Sequence, residues 1–296
     1  VAWNPLTYHF VSGLAFLSGA VMLAAGAAAS GFARKSGARV AGLHAAALGA
    51  VVVALSAAPL PWWLYAAWAG AAAAHAVLFL LARKGRSYLR PAGAAALLVV
   101  TGLSVAHEAP HLAVPRIEKP GSDVVYVIGD SVSAGAGRSD EVTWPAVLQE
   151  RVPWLQVVNA SEPGATALSA SGRQADQVTE EGAAVFIEIG GNDLLNRTPE
   201  RHFERALDEL LARVRGQDRV CIMLELPLPP FHNGYGLVQR RLARRHGVAL
   251  VPRRVFACVL AARGNTVDGI HLSNEGAARM AEVAAEVLAS AVDGGN

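Results

Sequence analysis

Residues 1–33, 40–82 and 91–107 contain no charged side chain, and the charged residues between these runs are all arginine or lysine. A helix needs about 20 largely apolar residues to cross the roughly 30 Å of hydrocarbon in a bilayer. The middle run is too long for one crossing. Pro59 and Pro61 break it, and Trp62, Trp63 and Tyr65 beside the break suit an interfacial turn with an aromatic anchor. The pattern therefore predicts four apolar helices, over residues 7–32, 40–58, 62–82 and 91–107, the last being short and ending at His107-Glu108. They are rich in Ala and Gly, which permit close packing in lipid. A water-soluble helical domain would need charged outer faces, which these segments lack. His44 and His75 fall in or near the spans. They are expected to find partners in the bundle or to lie near an interface, a haem-ligand role being the alternative.

Beyond Glu108 the pattern changes. After a Pro-containing stretch (Pro110, Pro115, Pro120), short apolar runs alternate with helical periodicity. Strands are expected over 124–129, 155–159, 184–190, 219–226 and 248–252. Helices are expected over 143–151, from 167 to about 179, over 199–215, around 235–246 and from 274 to about 291. In the long amphipathic helix, Phe203, Leu207, Leu210, Leu211 and Val214 recur at helical spacing with charges between them. Strands alternating with helices predict a five-stranded parallel sheet with helices on both faces, an α/β domain preceded by an all-α region. The expected organisation is a four-span transmembrane region over 1–107, a linker over 108–121 and an α/β domain over 122–296.

Charge then orients the spans. The net charge of +2 conceals a split: residues 1–107 carry +7 from Arg34, Lys35, Arg39, Arg83, Lys84, Arg86 and Arg90 with no Asp or Glu, and the rest carries −5. A uniformly basic nucleic-acid binder would not divide in this way, so no nucleic-acid partner is expected. The basic residues fall between helices one and two and between helices three and four. Basic loops stay in the cytoplasm, which predicts an N-terminus and an α/β domain on the extracytoplasmic side of the cytoplasmic membrane. No basic stretch precedes the first helix, so a cleaved signal peptide is not expected.

The chemistry gathers at strand ends. The run Val-Val-Tyr-Val-Ile over 124–128 stops at Gly129-Asp130-Ser131. Gly190-Gly191-Asn192-Asp193 follows the third strand, and Asp268-Gly269-Ile270-His271 precedes the closing helix. Loops at the carboxyl ends of parallel strands converge on one crevice, so these clusters are expected to share a pocket. A serine hydroxyl attacks only when a base takes its proton. His271 is the candidate base for Ser131, and Asp268 is placed to fix its tautomer. The backbone N–H groups of Ser131 and Gly164 and the Asn192 amide are candidate oxyanion donors.

Asp130 and Asp193 are expected to support the site, and Glu188, unusual inside a strand, to pair with a neighbour or to reach the pocket rim. Phe231, His232 and Tyr235 lie in a Pro/Gly-rich loop and are candidates for a substrate-facing segment. Arg240, Arg241, Arg244, Arg245, Arg253 and Arg254 form a local basic cluster. It is expected to be a solvated face, with contact to anionic headgroups or polysaccharide as the alternative. The two cysteines, Cys221 and Cys258, form no Cys-x-x-Cys pair, so a zinc site is not expected. No cofactor is expected. A disulfide between them stays open.

Gly129-Asp130-Ser131, Gly164, Gly190-x-Asn192-Asp193 and Asp268-x-x-His271 occur in the order of the four signature blocks of SGNH (GDSL-type) hydrolases. Residues 122–292 resemble the bacterial thioesterase/lysophospholipase-type esterases of that family, and residues 1–107 do not share the resemblance. It implies a flavodoxin-like sheet, a Ser131–His271–Asp268 triad, oxyanion donors at Ser131, Gly164 and Asn192, and no metal. Val132 stands where the family usually has Leu, and Leu272 where it often has Pro. The sequence thus leads to a membrane-anchored serine esterase acting on lipid or small acyl esters, with an ester substrate and the lipid bilayer as its partners. An O-acyltransferase or deacetylase of envelope polysaccharide or peptidoglycan is the nearest alternative. A membrane scaffold or transport protein with an accessory hydrolase domain is the alternative of another class.

Overall fold

The computed structural model describes residues 4–83, 86–216 and 218–291. The chain forms two compact units: a helical one of residues 9–112 with 228–233, and an α/β one holding the remainder.

The helical unit contains four helices long and apolar enough to cross a membrane: α2 (Leu14–Phe32), α3 (Ser36–Leu55), α4 (Trp62–Arg83) and α5 (Leu89–Glu108). A short α1 (Pro5–Val11) precedes them, so the stretch expected as one helix is two. Gly13 separates them in a left-handed conformation, φ 85°, which a residue without Cβ adopts at little cost. α3 starts a turn earlier than expected and carries Arg39 inside its first turns. Lys84, counted in the second basic loop, lies outside the described residues.

Helices α2 and α3 meet through glycines. A Cβ on Gly26 would stand 2.3 Å from the backbone N of Ala46, and one on Gly49 would stand 2.5 Å from that of Leu23. Only glycine allows this approach, the means by which helices gain packing contact where water supplies no drive. Polar side chains meet between helices: His75 Nε2 lies 2.8 Å from Ser30 Oγ, and Trp68 Nε1 donates to Ser104 Oγ at 2.6 Å. His44 is exposed. Val21, Leu48, Leu80 and Val99 are exposed apolar residues, an outer face suited to hydrocarbon.

The α/β unit is built on β1 (Val124–Gly129), β2 (Gln156–Asn159), β3 (Ala184–Glu188), β4 (Val220–Leu224) and β5 (Ala249–Val251). All neighbours are parallel, in the order β2-β1-β3-β4-β5. This is the flavodoxin-like order, whose ligand crevice opens beyond the carboxyl ends of β1 and β3. Side-chain alternation sends Val125, Val127, Phe186, Ile222 and Leu224 to one face, where they pack with α7 (Trp144–Arg151), α12 (Arg253–Ala261) and α13 (Asn274–Ala289). The buried residues between them, including Ile128, Ile187 and Met223, face the other way. There α10 (Glu200–Arg215) buries the apolar stripe read from the sequence.

Three local features were not expected. The stretch from 167 is not one helix: α8 (Ala167–Ser169) runs into a wide i→i+5 turn over Ala170–Gln174 and then a 3-10 turn. That turn buries Gln174, which accepts from Gly129 N at 2.9 Å and donates to Gly129 O at 3.0 Å, closing the backbone where β1 ends. Second, α12 was not anticipated. Third, the basic cluster is not a continuous solvated face. Arg240, on α11 (Asn233–His246), and Arg253 are buried around Glu225, which accepts from Arg240 Nε at 2.6 Å and Arg253 N at 3.1 Å. Arg241 and Arg245 pair with Glu204 and Asp208. Both cysteines are free, Cys221 buried and Cys258 exposed.

Candidate active site

Ser131 opens a single turn, α6 (Ser131–Ala134), directly after β1. Asp130 caps it, its Oδ1 accepting from Val132 N at 2.9 Å. The turn forms because the strand ends in Gly129, beside which Ser133 and Glu188 crowd: a Cβ there would lie 2.6 Å from Ser133 Oγ. Ser131 thus stands at the sheet's carboxyl edge with its backbone N–H at the start of a turn.

The segment bearing Asp268 and His271 folds back on itself. Asp268 Oδ1 accepts from the backbone N of Ile270 and of His271, each at 2.9 Å, which needs the positive φ of Gly269 (98°). Its Oδ2 lies 2.6 Å from His271 Nδ1, and His271 Nε2 lies 3.1 Å from Ser131 Oγ. Partial burial opposes ionisation of Asp268, yet the His271 ring and the two backbone N–H groups bring its pKa to about 2. An ionised carboxylate on Nδ1 keeps a proton there and leaves the Nε2 lone pair for the serine proton.

The third cluster begins at Gly190, φ 111°, where a Cβ would meet Leu226 and Phe203 at 2.9 and 3.0 Å. Asn192 follows in α9 (Gly191–Leu195), donating one amide hydrogen to Asp130 Oδ2 at 3.1 Å and one to Ala165 O at 3.0 Å. Gly164 needs glycine for its backbone, φ 74°, rather than for space, since a Cβ there would meet nothing within 4 Å. The backbone N–H groups of Ser131 and Gly164 have no acceptor among the described residues. Asp193 is buried, and its Oδ2 accepts from Ala167 N at 2.8 Å, tying the loop after β2 to the loop after β3. Burial raises the pKa of its carboxyl.

Beneath Ser131 lies an acidic ladder. Glu188 is buried and accepts from Ser133 Oγ at 2.9 Å; Ser133 Oγ in turn accepts from Trp144 Nε1 at 2.9 Å. Burial, then the neighbouring Asp130 carboxylate, lifts the Glu188 pKa well above the usual carboxylate range. Asp130 is raised as well, chiefly by burial, with the Val132 N–H and His271 opposing.

Ser131, Asn192 and His271 open onto a cavity of about 230 Å³ whose other walls include Val132, Leu194, Leu195, Leu226, Phe256, Leu260 and Ile270. Gly164 is not one of its walls, nor are Phe231, His232 and Tyr235. Tyr235 is 4% exposed; its hydroxyl donates to Thr198 O and its ring lies against Phe203, a brace inside the fold rather than a substrate-facing group. Phe231 is exposed at φ 68°, and His232 Nδ1 lies 2.9 Å from Pro230 O. The sequence reading missed Phe256 and Leu260 with α12, although Val255, Phe256, Val259 and Leu260 carry a helical period. Among the described residues no group of three or more His, Cys, Asp or Glu is arranged to hold a metal ion.

Known proteins resemble the α/β unit in sequence and fold. The profile of the GDSL-like Lipase/Acylhydrolase family matches residues 127–279. Thioesterase 1/protease 1/lysophospholipase L1 of Escherichia coli is 28% identical over 159 residues, 51% of this chain and 76% of that protein. Esterase TesA of Pseudomonas aeruginosa is 30% identical over 145 residues, 46% of this chain and 72% of that protein. Among solved structures, the psychrotrophic esterase EstA from Pseudoalteromonas sp. shares the fold with a TM-score of 0.51 at 18% identity, over 57% of this chain and 97% of that one.

Proposed function

Because the chain belongs to the GDSL-like lipase/acylhydrolase family of SGNH-type hydrolases, we propose that it is a membrane-anchored serine esterase with Ser131, His271 and Asp268 as its catalytic groups. The observation that carries this reading is the unbroken chain of contacts, 2.6 Å from Asp268 to His271 and 3.1 Å from His271 to Ser131, opening onto an apolar cavity.

His271 Nε2 removes the Ser131 proton as Oγ attacks the acyl carbonyl. The carbonyl π pair moves to oxygen, and the oxyanion takes hydrogen bonds from Ser131 N–H, Gly164 N–H and Asn192 Nδ2. Asn192 meets it by releasing Ala165 O or Asp130, since a full negative charge is the stronger acceptor. Collapse expels the alcohol, which takes the proton from His271, and leaves Ser131 acylated. Water, deprotonated by His271, attacks the acyl-enzyme; the acid leaves and Ser131 recovers its proton. Asp268 stays ionised throughout and favours the imidazolium.

The apolar walls suit a hydrocarbon acyl group, each buried CH₂ contributing about 0.8 kcal/mol. Four helices able to cross a bilayer, with basic residues before α3 and α5, support an anchored enzyme. By the positive-inside rule its catalytic unit works on the extracytoplasmic side. Lipid or small acyl esters presented there are then the substrates. Ser131→Ala tests the mechanism: hydrolysis of a short p-nitrophenyl ester should vanish while the thermal unfolding profile is kept. Wild-type turnover in that variant would refute it.

A further inference from the structure

Between the end of α12 and Ser273 the chain forms no helix or strand, only an isolated bridge between Thr266 and Leu272. This irregular segment carries both Asp268 and His271. Most of its bonds are internal: Val267 N donates to His271 O at 3.0 Å, and Ser273 N donates to Asn265 O at 2.9 Å. Asn265 Nδ2 ties it to α12 through Val259 O at 2.9 Å. None of these bonds refers to Ser131. The 3.1 Å contact between His271 and Ser131 is one hydrogen bond, worth too little to set its own geometry.

Another connection does refer to it. Asn274, at the start of α13, donates from Nδ2 to Asp140 O and accepts at Oδ1 from Val142 N, each at 3.0 Å. Arg138 Nη2 lies 3.5 Å from Leu272 O, next to His271. Asp140, Val142 and Arg138 all belong to the loop that follows the Ser131 turn. That loop wraps around Glu141, whose Oε2 accepts from the backbone N of Ala136, Gly137 and Arg138 at 2.8, 2.9 and 3.2 Å. One carboxylate therefore shapes the loop, and one amide joins the shaped loop to the histidine segment, 132 to 134 positions away in the chain.

We propose that Asn274 and Glu141 are positioning residues that form a clamp setting the gap between His271 Nε2 and Ser131 Oγ. This rests on the serine-esterase reading of the same site. The clamp touches no reacting atom. It acts by keeping the Asp268–His271 pair, which is folded within its own segment, in register with Ser131. A displacement of about 1 Å in such an arrangement costs on the order of 100-fold in rate.

The test is steady-state kinetics on a p-nitrophenyl ester with the full-length protein in detergent. Asn274→Ala should lower kcat about 10- to 100-fold and leave KM within about twofold. Labelling of Ser131 by a fluorophosphonate should slow in parallel. The downfield proton resonance of His271 Nδ1–H should persist, because its bond to Asp268 is internal to the segment. Asn274→Asp keeps the oxygen that Val142 N–H needs and should recover part of kcat. Glu141→Ala should lower kcat by itself, and the double variant should lose little more than the worse single one. A wild-type kcat in Asn274→Ala, loss of the His271 resonance, or multiplicative effects of the two variants would each overturn the clamp. If Asn274→Ala fails to fold, Glu141→Ala against Glu141→Gln decides: the amide keeps an acceptor for the three N–H groups and should restore kcat, and equal loss in both counts against the clamp. Should wild-type activity prove independent of Ser131, the esterase reading itself fails; Ser131-dependent activity indifferent to Asn274 removes only the clamp.

Discussion

Asn192 donates to Asp130 Oδ2 at 3.1 Å while its other amide hydrogen goes to Ala165 O at 3.0 Å, so the amide is held between the loops that follow β1 and β2. Its nitrogen end cannot rotate away without breaking both bonds. In the proposed mechanism the amide exchanges only one of these bonds for the oxyanion while the other holds it in place, so little reorganisation is needed in the transition state. Asn192→Ala should therefore lower kcat about 100- to 1,000-fold, equivalent to about 2.7–4 kcal/mol, with KM little changed. A fall confined to KM would assign Asn192 to ground-state binding instead.

Asp268 has a pKa depressed to about 2. A carboxyl whose folded pKa lies below its ordinary value of about 3.9 stabilises the fold above that value, and the contribution is lost as pH falls through the folded pKa. The melting temperature of the wild type relative to Asp268→Asn should be constant near neutrality and shrink between about pH 4 and about pH 2. An unchanging difference across that window would contradict the assignment.

Glu188 runs the other way. Its pKa is raised by burial and by Asp130, so the folded state holds this proton more tightly than the unfolded chain does. Its contribution is greatest below the ordinary carboxyl value and declines as pH rises toward the folded pKa. Glu188→Gln keeps an oxygen for Ser133 and has no proton to hold. The variant should gain in melting temperature relative to wild type as pH rises above the ordinary carboxyl range. A pH-independent difference would show that Glu188 is ionised in the fold.

The α2–α3 contact tolerates no side chain at Gly26, where a Cβ would meet backbone at 2.3 Å. Gly26→Ala should destabilise the helical unit by about 1–3 kcal/mol, as overpacking does. Gly102→Ala is the control, because a Cβ there meets nothing within 4 Å. Thermal unfolding in detergent, read by circular dichroism, compares the two, and equal effects would remove the packing argument.

Orientation is testable with a membrane-impermeant thiol reagent. Cys258 is exposed and must first be replaced by Ser, whereas Cys221 is buried. A cysteine at Ser122 should then react in intact cells, and one at Ser87 only after permeabilisation. The reverse pattern would place the α/β unit in the cytoplasm.

The elements that position the site were legible because each carries its own physical signal. β1 and β3 read as apolar runs ending in glycine, and the long helix α10 as an amphipathic stripe. Signals depending on tertiary partners were not legible. Gln174 is an ordinary polar residue until a wide turn aims it at Gly129. Arg240 and Arg253 look like surface charges until Glu225 receives them inside. Tyr235 sits in a loop-like stretch, yet its hydroxyl finds Thr198 O and its ring finds Phe203. The break at Gly13 lies in an uncharged run, where hydropathy alone cannot register a left-handed residue.

Ser131 is the proposed nucleophile. Treating the intact protein with an excess of fluorophosphonate, then locating the adduct by peptide mass spectrometry, tests it most directly. The expected result is one phosphonyl group per chain, on Ser131, formed in step with the loss of esterase activity and absent from His271→Ala. Activity that survives full labelling of Ser131, or is lost through labelling elsewhere, would contradict it.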